Sequence, residues 1–164
     1  MNLYNLVKFL HIVAVIMMIG GVFARQLVRG YAKKNEDVKQ VASLVHVAGQ
    51  IDRVMVIPGS NVVVVLGIIL AVMMKWPIFG FLQGASQNWL LTSNLLLIIG
   101  LGTVFAVFVP HNRKLEAILQ TAVAEGRITP ELSAALDDKT VNLAHRVEET
   151  AILGVAALMV LKPF

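Results

Sequence analysis

The sequence predicts an all-α polytopic membrane protein, a four-helix transmembrane bundle that occupies residues 1–164 as a single domain. Two observations support this class. Of the 164 residues, 57% are hydrophobic and only 15% are charged, whereas a soluble domain carries roughly 25% charged residues and needs them to cover its surface. The apolar residues also gather in runs close to the ~20 residues that a helix needs to cross a bilayer.

The first predicted span covers residues 3–28. Its central run, Phe9 to Ala24, contains one ionisable residue, His11. Arg25 and Arg29 follow this run and no small-x-small cleavage site does, so we expect a retained helix rather than a signal peptide.

The second and third predicted spans, residues 54–74 and 89–110, are apolar. Neither contains an Asp, Glu, Lys or Arg. Pro58 and Gly59 predict a kink in the second span, because proline interrupts the hydrogen bonding of a helix.

The fourth predicted span, residues 140–161, has to include charged residues. Its purely apolar part, Ala151 to Leu161, has 11 residues and would rise about 16 Å, against a hydrocarbon core of roughly 30 Å. To cross, the helix must begin near Lys139 to Asn142. This brings four polar side chains to the bilayer boundary, namely His145, Arg146, Glu148 and Glu149.

Short amphipathic cytoplasmic helices are predicted in the two long connections. Apolar residues recur at three- and four-residue steps before the second span and again after the third. The second series stops at Gly126, and Thr129-Pro130 is a typical start for a further helix. The two series are Val38, Val41, Leu44, Val45, Ala48 and Ile51, and Leu115, Ile118, Leu119, Ala122 and Val123.

Basic residues indicate the orientation. Eleven of the fourteen Lys and Arg lie in the two long connections, residues 25–53 and 111–146, and positive residues accumulate on the cytoplasmic side. We therefore predict a multi-pass protein of a bacterial inner (plasma) membrane, with both termini outside the cytoplasm and the lipid bilayer as its partner. No nucleic-acid partner is expected, because no basic patch interleaved with aromatic residues lies outside the apolar runs.

His11 is the first candidate functional residue. It lies about eight residues inside the first span, where a neutral imidazole is a good ligand for haem or a metal. The alternative is a histidine that hydrogen-bonds a neighbouring helix. A bis-histidine haem is not expected, because the other histidines are predicted at the cytoplasmic ends of their segments, namely His46, His111 and His145.

A second group of candidate residues lies at the inner end of the fourth span. His145, Glu148 and Glu149 are spaced i, i+3 and i+4 and share one helix face. Histidine and carboxylate ligands suit Zn, Mn or Fe, which predicts a metal or proton site. The alternative is a network of ion pairs. Other groups predicted at the same level are Asp52, Arg53 and, as a further metal ligand, His111.

Several function classes are not expected. The chain has no cysteine, which excludes disulfides, iron–sulfur clusters and Cys-based zinc sites. It also has no nucleophile elbow, phosphate-binding loop, zincin motif or dinucleotide fingerprint, so hydrolase and nucleotide-dependent activities are not expected.

Several short motifs resemble a known family. They are Leu3-Tyr4-x-x-Val7-Lys8-x-x-His11-Ile12, Gly20-Gly21, Arg53-x-Met55-x-x-Pro58, Arg146-x-x-Glu149 and Lys162-Pro163-Phe164. Together they resemble a bacterial family of predicted integral membrane proteins of unknown function. More remotely, they are similar to the HemJ-type haem-containing protoporphyrinogen oxidases and to copper-resistance D-like membrane proteins.

The remote similarity implies haem b as a cofactor, with His11 as its ligand and Arg53 and Met55 as further cofactor-binding residues. The chain also departs from the oxidases. Its third span lacks the lysine and histidine that they carry after the residue matching Trp89, and Thr150 stands where they have a proline. These departures argue against protoporphyrinogen oxidation, and no enzyme class is assigned.

Three functions are therefore expected as alternatives. The first is a haem- or porphyrin-binding redox protein that acts through His11. The second is a small membrane protein that handles a metal ion or solute through the inner His/Glu cluster, and the third is a non-enzymatic membrane scaffold. A homo-oligomer is also predicted, because four thin spans rarely enclose a large cavity alone.

Overall fold

The computed structural model describes residues 2–163 and contains, within that range, helices and turns but no strand. The all-α class is therefore confirmed. A single 3-10 turn, Gly80–Gln83, lies in the short loop before the fourth of the α-helices. The α-helices are α1 (Leu3–Lys33), α2 (Val38–Ile51), α3 (Ile57–Met73), α4 (Trp89–Thr103), α5 (Val109–Glu125), α6 (Pro130–Leu136) and α7 (Lys139–Leu161).

Two π-helical turns join these helices into longer ones. Asp52–Val56 connects α2 to α3, and Val104–Phe108 connects α4 to α5, giving continuous helices of 36 and 37 residues. Each turn ends two residues before a proline, Pro58 or Pro110. Proline lacks an N–H and its ring clashes with the carbonyl of the residue four before it, and a π turn accommodates both. The interruption expected at Pro58 therefore takes the form of a π turn.

Within residues 2–163, three helices are long and apolar enough to cross a membrane: α1, the joined α2–α3 and the joined α4–α5. In their most apolar stretches only 11% to 22% of the residues are buried inside the protein. Ile16 and Phe105, for example, are 66% and 71% exposed. An exposed apolar surface of this extent is typical of helices that face lipid. The helix of the fourth predicted span, α7, is not among these three.

The molecule has two distinct ends. At the polar end, α2, α5 and α6 pack around a small apolar core, and α1 contacts α2 and α6. The amphipathic helices predicted in the two long connections are thus confirmed, and their apolar positions face one another. The buried residues of this core are Val38, Val41, Leu115, Ala122 and Leu132.

The opposite end, which we call the tryptophan end, is built around two aromatic rings. Trp76 and Trp89 meet edge to face, with ring centroids 5.2 Å apart. Leu158 and Met159 of α7 pack against the same cluster, and the ammonium of Lys162 lies 4.1 Å from the centroid of the Trp76 ring. The last turn of α7 therefore reaches the level at which α4 begins.

Glycines bring α1 and α3 into close contact. A Cβ added to Gly59 would lie 3.2 Å from the backbone Cα of Met18, and one added to Gly67 would lie 3.3 Å from the His11 ring. Small residues at such positions let two helices approach closely, which favours association inside a membrane.

Gly21→Ala is expected to destabilise the protein by about 1–3 kcal/mol, the usual cost of overpacking a close contact. The added Cβ would lie 2.9 Å from both Met55 Cβ and Val56 Cγ2, so the helices would have to separate. Gly20→Ala is the matched control, because nothing lies within 4 Å of its added Cβ. Thermal unfolding in detergent, followed by circular dichroism, should show a lower midpoint for Gly21→Ala alone. Equal midpoints would contradict this packing.

Candidate functional site

A ladder of polar contacts links α1 to α7 at the polar end. Three basic residues spaced four apart on α1 lie on one helix face and contact three residues spaced three apart on α7. We call these six residues the polar ladder: Arg25, Arg29 and Lys33 on α1, and Glu148, His145 and Asn142 on α7.

Arg25 forms the most buried level of the ladder. Its Nη1 donates to Asp52 Oδ1 at 2.7 Å and its Nη2 donates to Glu148 Oε2. Arg25 and Glu148 are only 4% and 6% exposed, and the guanidinium also lies 5.7 Å from the centroid of the Phe108 ring. Because buried charges are costly unless paired, one guanidinium shared by two carboxylates explains how these groups tolerate burial.

Arg29 forms the middle level, and no carboxylate of residues 2–163 makes an ion pair with it. Its Nη1 contacts His145 Nε2 at 2.6 Å and its Nη2 donates to Asn112 Oδ1 at 3.0 Å. A guanidinium can only donate, so His145 Nε2 must accept and the imidazole must be neutral, with its proton on Nδ1. That nitrogen lies 3.4 Å from Glu148 Oε2. The hydrogen-bond network therefore assigns the tautomer of His145.

Lys33 forms the outermost level. Its Nζ donates to Asn142 Oδ1 at 2.6 Å and lies 3.3 Å from Asp137 Oδ1. Asp138 caps the start of α7 by accepting hydrogen bonds from the Val141 and Thr140 N–H groups. These bonds, chiefly that from Val141, hold the pKa of Asp138 below its ordinary value. The cap fixes where α7 begins and thereby which of its residues face α1.

Two cavities lie beside the ladder. One of about 120 Å³ is bordered by Arg29, Lys33 and His111 among others, and one of about 280 Å³ lies between Lys33 and α6. Both are smaller than the roughly 300–1,000 Å³ of typical cofactor and drug-sized ligand sites. His11 borders neither cavity. The space at this end therefore suits a small polar ligand.

The structure brings together only part of the predicted metal set. His145 and Glu148 are in contact, whereas Glu149 makes no ion pair among residues 2–163 and His111 borders the smaller cavity. In that same range no three His, Asp or Glu side chains are grouped closely enough to hold a metal ion. Glu148 is instead paired with Arg25. The geometry matches the alternative of an ion-pair network, and the metal site stays a prediction.

The residues predicted to bind haem b lie apart. The His11 ring packs against Gly67 of α3, and its Nδ1 is buried without a hydrogen-bond partner in the described part of the chain. Met55 packs against Gly21, ten residues from His11 along α1, or about 15 Å at 1.5 Å per residue. Arg53 is exposed on the π turn. The structure therefore does not bring His11 together with Met55 or Arg53 in one binding site.

The α1 side of the ladder was missed by the sequence reasoning. Arg25 and Arg29 served there to argue against a signal peptide and to orient the protein, and no contact with α7 was predicted for them. Their spacing was the available signal, because basic residues at 25, 29 and 33 recur once per helical turn at the end of an apolar run. Nothing in the sequence indicated that Asn112 and Asn142 would contact them.

Comparison with known proteins identifies a family. A family model described as "Predicted integral membrane protein (DUF2269)" matches residues 5–163. No curated protein and no solved structure matches the chain. The resemblance to a membrane protein family of unknown function is thereby confirmed, whereas the similarity to HemJ-type oxidases and copper-resistance D-like proteins has no support from these comparisons.

Proposed function

The chain belongs to the family of predicted integral membrane proteins DUF2269, and from this we propose that it crosses the membrane four times and handles a small charged solute at the polar ladder. The family and the three apolar helices show that the protein is an integral, multi-pass membrane protein. The fourth crossing and the solute are the proposal.

The fourth crossing is supported by the position of α7. Its 23 residues are about 34 Å long, enough for a hydrocarbon core of roughly 30 Å. A Cβ added to Gly154 would lie 3.3 Å from Leu96 Cδ1 of α4, and Leu158 packs at the tryptophan end. Val160 is 80% exposed. Because α7 packs along α4 and exposes aliphatic side chains, it would lie in the same lipid surroundings as α4. By the distribution of Lys and Arg, the polar end would face the cytoplasm.

The observation that carries the proposed function is the burial of three ionisable residues in the ladder. Arg25, His145 and Glu148 are between 4% and 6% exposed, at the level where the helices would enter the membrane. Ionisable groups at membrane depth are costly and typically line the pathways of ions and solutes. Of these three residues, His145 borders the smaller cavity, together with Arg29. The cavity beside Arg29 and His145 therefore favours solute handling.

A haem-dependent function does not fit the residues around His11. Gly67 leaves just enough room for the imidazole, because a Cβ there would already lie 3.3 Å from the ring. The two cavities lie at the polar end, and both are too small for a porphyrin. Haem b binding stays a prediction that an absorption spectrum of the purified protein would test.

Solute handling is expected to depend on His145. In proteoliposomes on a solid-supported membrane, jumps in the concentration of protons, potassium, acetate and phosphate should reveal a solute that moves charge through the wild-type protein. His145→Gln should reduce that signal about tenfold, the effect of losing roughly 1.4 kcal/mol of interaction, because glutamine keeps an acceptor for Arg29 but cannot stack on Phe108 or titrate.

His46→Gln is the matched control, since His46 is exposed on α2 and its hydrogen-bond partner among residues 2–163 is Gln50. Its signal should equal that of the wild type. If no solute of the panel moves charge through folded wild-type protein, the proposed function is wrong and the scaffold alternative takes its place.

A further inference from the structure

We propose that the smaller cavity beside the polar ladder binds an oxyanion of the phosphate type. This inference rests on the proposed function, because it names the class of solute for the same site. The group would come either from free phosphate or from the headgroup of an anionic lipid.

The lining of the cavity has the charge that an oxyanion requires. Thirteen residues border the 120 Å³ space, and no Asp or Glu of residues 2–163 is among them. Arg29 and Lys33 contribute positive charge, and side chains that can donate hydrogen bonds contribute the remaining polar surface. These donors are Gln26, His111 and Asn142, whereas His145 Nε2 accepts from Arg29.

Arg29 retains capacity for a ligand. Among the described residues no carboxylate lies within ion-pair distance of it, whereas Arg25 has two and Lys33 has one. A guanidinium offers five N–H donors in a fixed plane, and the contacts to His145 and Asn112 use one N–H on each of the two Nη atoms. These two contacts also orient the plane. Oriented guanidinium groups are the preferred partners of phosphate oxygens.

An unpartnered buried donor beside the cavity also calls for an acceptor. Within residues 2–163, Gln26 Nε2 is buried without a hydrogen-bond partner. Gln26 borders the cavity. An unsatisfied buried donor costs about 1–3 kcal/mol, and an oxyanion supplies only acceptors. The chemistry of the lining is therefore complementary to an anion and unfavourable to a metal cation.

The volume limits the size of the group. The volume of the smaller cavity, about 120 Å³, equals the volume that roughly four molecules occupy in liquid water, at ~30 Å³ each. This space accommodates one tetrahedral oxyanion but excludes a nucleotide base or a porphyrin. The location at the end of the apolar helices is also where the phosphates of a bilayer would lie, which is why both sources are considered.

The test uses the whole protein purified in a neutral detergent. Inorganic phosphate is titrated into it by isothermal calorimetry, and retention of phosphatidic acid against phosphatidylcholine is measured by native mass spectrometry. For whichever probe the wild-type protein binds, we expect Arg29→Gln to lower the affinity by at least about tenfold, because a charge-assisted contact is lost. Gln26→Glu should weaken it similarly, because it places a carboxylate against the anion.

Matched controls use the same substitutions on the exposed face of α5. Arg113→Gln and Gln120→Glu carry out the same chemical changes at exposed positions with no hydrogen-bonded partner among the described residues, and we expect affinities within about twofold of the wild type. Circular dichroism checks that each variant is folded. Gln26→Glu keeps Arg29 intact, so it tests the site even if Arg29→Gln fails to fold.

The outcomes separate the two sources and the two proposals. Binding of phosphate alone supports a free anion, and selective retention of phosphatidic acid alone supports a lipid headgroup. Binding of neither probe by folded wild-type protein, or equal binding by all variants, overturns the inference. Charge movement without binding of either probe refutes the oxyanion but leaves solute handling standing. If the substitutions weaken binding of a probe but no solute moves charge, the oxyanion inference stands and solute handling is refuted.

Discussion

Arg25→Met is expected to lower the free energy of unfolding by about 3–5 kcal/mol, the usual cost of removing one partner from a buried ion pair. Arg25 pairs with Asp52 and Glu148, and methionine would leave both carboxylates without this counterion, Glu148 in a buried position and Asp52 in a partly buried one. Reversible unfolding in mixed micelles, followed by circular dichroism, measures the change.

Two further variants make this result specific. Arg113→Met makes the same substitution at an exposed position of α5, and we expect a change within about 0.5 kcal/mol. Adding Asp52→Asn and Glu148→Gln to Arg25→Met should recover most of the stability, since no unpaired charge is then buried. If the triple variant is no more stable than Arg25→Met, the loss comes from packing and the ion-pair explanation is wrong.

Trp89→Ala is expected to cost about 3–5 kcal/mol, the range for truncating a buried aromatic side chain. Trp89 is 2% exposed, and its ring contacts Trp76 and lies 5.2 Å from Lys162 Nζ. Removing it would take away the contact that holds the end of α7 against α4. The same unfolding measurement reports the loss of stability.

A site-specific readout follows from the absence of cysteine in the chain. Met159→Cys provides a single thiol in the cluster around Trp89, and its labelling rate should rise when Trp89→Ala is introduced. Phe105→Ala is the control, because Phe105 is 71% exposed and should change neither stability nor labelling appreciably. An unchanged labelling rate in Trp89→Ala would contradict the role of this ring in holding α7.

The polar ladder could be predicted only in part. The spacing of His145 and Glu148 placed them correctly on one face of α7, because i and i+3 positions adjoin in any helix. The same reasoning included Glu149, which is one residue further and therefore rotated by about 100° around the helix axis. It also treated Asp52 and Arg53 alike, although Asp52 pairs with Arg25 and Arg53 is exposed.

The sequence by itself determined the helical class, the three most apolar helices and the amphipathic segments of the connections. These features follow from hydrophobic runs and periodicity, which act over one helix at a time. Trp89 shows where such reasoning ends, since its burial against α3 and α7 depends on contacts between helices.

Only the tertiary structure decided which charged groups meet. Arg25 and Glu148 are 123 residues apart in the chain, and their contact depends on how α1 and α7 are rotated and spaced when four helices pack together. That arrangement pairs Arg25 with two carboxylates and places small residues at close contacts, and both features depend on how several helices pack together. For this reason the polar ladder and its cavity depend on tertiary packing, whereas the helices that contain these residues could be predicted from the sequence.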